Sequence, residues 1–180
     1  MRLRRPLCWR VTRLAHGVDA LSRATGGTAE RGMPASKERE NTGPVVSITT
    51  RTKSPVLAYE RAGRLVEEAV LAGKERGWYY LLGYVVMPDH LHLIIRPRGR
   101  EVSAAVQAVK SLAGRRVNAL LGKKGALWRR GFAVSVIEDQ AGAKRTIKYV
   151  EANPVRDGLA STPEGYRLSS AHRREVVDPL

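Results

Sequence analysis

Residues Val85–Pro97 read VVMPDHLHLIIRP, and the alternation within this stretch sets the reading of everything around it. Pro88 and Asp89 separate two apolar runs, which makes the segment a hairpin. Side chains in a strand point alternately to opposite faces, so His90 and His92 share one face while Leu91 and Leu93 share the other. Two imidazoles side by side are either structural residues or part of a divalent-metal site. The pair alone leaves both readings open.

Working outward, VVSITTRT (Val45–Thr52) is β-branched and reads as a strand. Val56–Arg76 has apolar positions at 62, 65, 66, 69 and 70, the spacing of a helix with one buried face. WYYLLGYVVM (Trp78–Met87) and HLHLIIR are the second and third strands. Glu101–Leu121 repeats the helical spacing, FAVSVIE (Phe132–Glu138) is a fourth strand, and Lys144–Asn153 is a third helix stopped by Pro154. The order β-α-β-β-α-β followed by a helix predicts an α+β, ferredoxin-like (RRM-like) split βαβ sandwich with an antiparallel sheet and an added C-terminal helix.

The 180 residues suffice for one ordinary domain, about 100–150 residues, plus a tail. Residues 1–42 hold nine basic and four acidic side chains and lack sustained periodicity, and are expected to be a basic, disordered segment preceding a domain over 43–180. Met33 also allows a downstream start. Across the chain, 32 Lys and Arg against 17 Asp and Glu leave +15. That excess favours a polyanionic partner, nucleic acid first. The single cysteine, Cys8, excludes an intramolecular disulfide and fits a reducing, cytoplasmic setting. No run approaches the roughly 18 apolar residues of a spanning helix, so no membrane partner is expected.

A second group of polar residues lies in KRTIKYVEANPVRDGLA, Lys144–Ala160. Spacings of four put Arg145, Tyr149 and Asn153 on one stripe of the predicted helix. Singly, each has an ordinary structural reading as a solvated charge, a core ring or a helix-end amide. A phenol with its usual pKa of about 10 is a poor nucleophile at neutral pH and needs activation.

The pieces MPDHLHLI, LWRRGF and YVEANPVRDGLA, in that order, with YRLSSAHR near the end, resemble the single-tyrosine HUH transposases, the IS200-like and REP-associated tyrosine transposase family. The likeness spans about residues 44–174. It implies that Tyr149 is the nucleophile and that His90 and His92 are metal ligands, with Asn153 the third. It also implies a divalent Mg or Mn cation, and attack of the tyrosine on single-stranded DNA near a hairpin, giving a 5′-phosphotyrosine link and a free 3′-OH. Imidazoles by themselves suit zinc better, but hard oxygens of a substrate phosphate favour Mg²⁺ or Mn²⁺. Relatives act as monomers or homodimers. Where the family often continues LWRRGF with an aromatic and then Asp or His, this chain has Ala133, Val134 and Ser135.

Candidate DNA-binding cations are Arg96 and Arg98 after the histidine strand, Lys110, Arg115 and Arg116 on the second helix, Arg129 and Arg130 beyond it, and Arg145 on the third. Trp78 and Trp128 are candidates for base stacking, with core packing the plainer alternative. A noncatalytic RRM-like nucleic-acid binder is the competing reading, although VVSITTRT carries none of the aromatics that such proteins display. The chain is too short for an amidohydrolase barrel of about 250 residues. It also lacks the His-x-Glu and Cys-x-x-Cys signatures of zinc deaminases.

Overall fold

The computed structural model describes residues 44–98 and 100–180. The chain divides at Thr42–Gly43 into two units, and the description concerns the second. The expectation of disorder for residues 1–42 lies outside the described residues.

Four strands, β1 (Val45–Arg51), β2 (Tyr79–Met87), β3 (His90–Pro97) and β4 (Ala133–Ile137), form one antiparallel sheet in the order β2-β3-β1-β4. This is the expected ferredoxin-like order, in which β1 and β3 lie side by side in the centre and β2 and β4 form the edges. Helices α1 (Glu60–Glu75) and α2 (Val102–Leu121) cover one face. Their Ala62, Val66, Val70, Val106, Val109 and Val117 pack with Val46, Ile48, Leu91, Leu93 and Ile95 of the sheet. On the opposite face, α3 (Gln140–Glu151) contributes Ala143 and Val150 to a smaller cluster with Val45, Leu82, Val85, Met87 and Ile94. Alternation along β3 therefore puts His90 and His92 on the α3 side.

Several boundaries differ from the expectation. The predicted helix from Val56 opens instead as a 3-10 turn, Val56–Ala58, and α1 begins only after Tyr59, whose extended backbone interrupts it. The third helix starts at Gln140, earlier than Lys144, because Asp139 caps it by accepting from the Gly142 N–H. It ends at Glu151. Asn153 belongs to a separate short turn of helix, α4 (Asn153–Arg156), in which Pro154 occupies the first turn, where a missing N–H costs nothing.

The outer edge of β2 is not left open. Residues of the C-terminal segment run beside it, with Val86 N–H donating to Leu168 O, Ser170 N–H to Tyr84 O and Asp178 N–H to Leu81 O. A covered edge cannot recruit foreign strands. At the start of β2, Tyr79 folds beneath α1 and donates to Val70 O at 2.7 Å. A side chain at Gly73 would collide with that phenol. No described helix is long and apolar enough to cross a membrane.

Candidate active site

The imidazoles of His90 and His92 meet edge to face, with Nε2 atoms 3.0 Å apart. Each ring is gripped from its other nitrogen. His90 Nδ1 donates to Asp89 Oδ1 at 2.5 Å, and His92 Nδ1 lies 2.9 Å from the Thr49 hydroxyl across the β1–β3 pairing. Asp89 in turn accepts from Arg51 at 2.9 Å. Partial burial pushes the Asp89 carboxyl up, but its bond with His90 and the charges of His90 and Arg51 outweigh that, leaving it below the ordinary carboxylate value. Burial, reinforced by His90 and Arg51, lowers His92 to about 3. The His92 ring is thus neutral at physiological pH, the state a metal ligand requires.

A divalent cation fits this pair. Ligands about 2.1 Å from a metal and at right angles to one another lie about 3.0 Å apart, the separation found between the two Nε2 atoms. With protons on the Nδ1 atoms, both Nε2 lone pairs are available, and Asp89 and Thr49 are the partners that accept those protons. Among the described residues no three His, Cys, Asp or Glu side chains gather into a metal-binding group. The imidazoles would therefore form part of a coordination sphere completed by amide, water or substrate oxygens.

Tyr149 stands on α3, on the same side of the sheet as the histidines. The next residue, Val150, shares the buried cluster with Val85 and Met87, which pair across the hairpin with His92 and His90. The phenol is 49 % exposed, and its hydroxyl has no hydrogen bond among the described residues. The other tyrosines differ. Tyr79, Tyr84 and Tyr166 donate to Val70 O, Glu67 Oε1 and Val86 O, and burial raises the pKa of each. Tyr80 lies under the Arg98 guanidinium, and Tyr59, as exposed as Tyr149, precedes α1.

The cation beside Tyr149 is Arg156, whose guanidinium lies 4.6 Å from the ring centre. Arg145 is exposed one turn earlier. The amide of Asn153 donates to Val150 O at 3.1 Å, and its Oδ1 is 3.5 Å from the Arg156 guanidinium. Asn153, Arg156 and Tyr149 thus form one local group across the α3–α4 break. Asp89, Thr49, Arg51 and Arg156 join the candidate site without being singled out by the sequence pattern. Asp89 reads as a plain turn residue, and only its position directly before His90 could have marked it.

The expected DNA-binding cations divide by placement. Arg96 shares the histidine face of β3 but stands near the other end of the strand, and Arg98 lies beyond it. Arg115, Arg129 and Arg130 are exposed around the end of α2 and the loop that follows, whereas Arg116 pairs with Glu68 of α1 at 3.2 Å. Lys110 departs from the expectation of a polar-side residue. It is 5 % exposed and donates to Arg129 O and Gly131 O, because α2 turns that position toward the loop before β4. Trp128 is buried and donates to Lys110 O, and Trp78 is half-buried with Arg76 and Arg100 over its ring.

The sequence model described as Transposase IS200 like matches residues 45–153. Among solved structures, the chain is similar to a REP-associated tyrosine transposase bound to a REP hairpin, with a TM-score of 0.60 at 20 % identity over 82 % of this chain and 89 % of that one. At that identity the likeness is one of fold. A transposase candidate from Deinococcus radiodurans R1 gives a TM-score of 0.42 at 19 % identity over 69 % of this chain and 96 % of its own. A search of curated proteins finds no match.

Proposed function

The chain belongs to the IS200-like transposase family, and from that premise we propose that it cuts and rejoins single-stranded DNA beside a hairpin, with Tyr149 as nucleophile. The observation that carries this reading is the pair of Nε2 atoms 3.0 Å apart, on the face of the sheet against which the tyrosine helix packs.

In this reading the Tyr149 oxygen attacks a backbone phosphorus and forms a phosphotyrosine bond to the 5′ side. The P–O3′ bond breaks, the departing 3′ oxygen takes up a proton, and the phenol proton passes to solvent. Because the new bond is again a phosphodiester, a 3′-OH can reverse the step without a nucleotide cofactor. His90 and His92, with Asn153 as the third protein ligand, would hold a Mg²⁺ or Mn²⁺ ion, which when bound supplies Lewis-acid polarisation of the scissile phosphate. Asp89 and Thr49 hold both histidine rings from Nδ1, with the Nε2 atoms turned to each other. Arg156, whose guanidinium lies 4.6 Å from the centre of the Tyr149 ring, would put a positive charge beside the reacting phosphate.

A noncatalytic RRM-like role has less support. The α3-side positions of the central strands β1 and β3 are Val45, Ser47, Thr49, Arg51, His90, His92, Ile94 and Arg96, with no Phe, Tyr or Trp among them, and the two imidazoles are turned to each other. The test is incubation of the full chain with labelled single-stranded hairpin DNA and Mn²⁺, followed by a denaturing gel and mass spectrometry of the adduct. A covalent species mapping to Tyr149 is expected. No adduct on any hairpin tested, with either ion, returns the protein to the binding-module reading.

A further inference from the structure

A cleft of about 460 Å³ opens between α2 and the loop that leads to β4. Four cations line it, Lys110, Arg115, Arg129 and Arg130, and no carboxylate does. Lys110 forms its inner wall. Its ammonium is buried, and two of its three N–H groups donate to Arg129 O and Gly131 O. It has no carboxylate partner among the described residues. A dehydrated cation without a counter-charge is costly, and an anion in the cleft would offset that cost.

The cleft also connects to the histidine site through the backbone. Arg129 N–H donates to Arg51 O at 2.9 Å and Arg129 Nε to Thr52 O at 3.2 Å. Arg51 then pairs with Asp89, which holds His90. Arg129 in the wall of the cleft is thus bonded to the backbone of Arg51, whose side chain supports the histidine pair through Asp89.

We propose that this cleft is a second DNA contact, in which Lys110, Arg115 and Arg130 hold a backbone phosphodiester of the substrate apart from the phosphate that is cut. The proposal rests on the DNA-cleavage reading above. It adds a fixed point that sets where the strand enters the site.

Arg115 and Arg130 are exposed and make no ion pair among the described residues, so replacing both leaves the fold intact. The experiment compares the full chain, Arg115→Ala/Arg130→Ala and a control, Arg64→Ala on α1, for binding to a labelled DNA hairpin with a single-stranded flank across a series of salt concentrations. The double variant is expected to lose at least about tenfold in affinity. Its slope of log affinity against log salt should be shallower by up to about 0.7 to 0.9, the amount that one neutralised phosphate contributes. The control should keep the native slope. Equal affinity and slope in the double variant and the control would overturn the proposal. Adduct formation by the native chain is scored separately. An adduct without any binding loss in the double variant removes the cleft and keeps the chemistry, whereas a binding loss without an adduct does the reverse.

Discussion

The Nε2 atoms of His90 and His92 face each other at 3.0 Å, and each ring is held from behind by a different element, His90 by Asp89 of the hairpin turn and His92 by Thr49 of β1. Two facing nitrogens cannot both present lone pairs to each other at that distance without loss. Either one carries a proton for the other, or both point at a cation.

The second arrangement predicts stabilisation by metal. Mn²⁺ at about 100 times its dissociation constant should stabilise the native chain by about 2.7 kcal/mol, seen as a rise in melting temperature. His90→Ala/His92→Ala should show no such rise and no strand cleavage. Hairpin binding should largely persist in that variant, since phosphate contacts are spread over many cations. A full metal-induced shift in the double variant would remove the histidines from the site.

Asp89→Asn keeps the size of the side chain and a hydrogen bond to His90, but removes the charge that fixes the ring and its tautomer. Metal affinity should fall by about 10- to 100-fold, measured by Mn²⁺ titration with electron paramagnetic resonance. Arg51→Ala, one step further out, should have a smaller effect. An Asp89→Asn variant with native affinity would reduce Asp89 to a turn residue.

Tyr149→Phe and Tyr84→Phe should separate chemistry from stability. The Tyr149 hydroxyl has no partner among the described residues, so its loss should change unfolding free energy by no more than about 0.5 kcal/mol while abolishing the covalent DNA adduct. The Tyr84 hydroxyl donates to buried Glu67 at 2.6 Å. Its removal should cost about 1 to 3 kcal/mol in urea unfolding and leave the adduct. An adduct from Tyr149→Phe mapping to another tyrosine would reassign the nucleophile.

Glu151, the last residue of α3, is buried, accepting from Ser170 at 2.6 Å and from Arg174 at 2.5 Å. It ties the tyrosine helix to the segment that covers β2. Glu151→Ala leaves the Ser170 hydroxyl and the Arg174 guanidinium without that acceptor, and should destabilise by about 1 to 3 kcal/mol. Hydrogen exchange should quicken first in residues 140–151 and 168–171, with α1 and α2 little affected. Uniform acceleration across the chain would show that α3 is not a separately held element.

Local pattern was enough to determine the element types, the ferredoxin-like order and the face shared by His90 and His92, because alternation and helical spacing are written in neighbouring residues. The ordered motifs likewise singled out Tyr149 and Asn153 as candidates. Only the tertiary structure decided which side chains support them. Thr49 reaches His92 because β1 lies beside β3, and Arg51 reaches Asp89 for the same reason, although these partners are 43 and 38 residues apart. Lys110 looks like any helix-surface cation until the loop before β4 folds over it and takes its N–H groups. The break at Ala152 turned an apparent single helix into two, so that Arg156 rather than Arg145 lies against Tyr149. Periodicity reports which way a side chain faces, whereas the partner waiting there depends on strand order and loop path, which residues distant in the chain determine together.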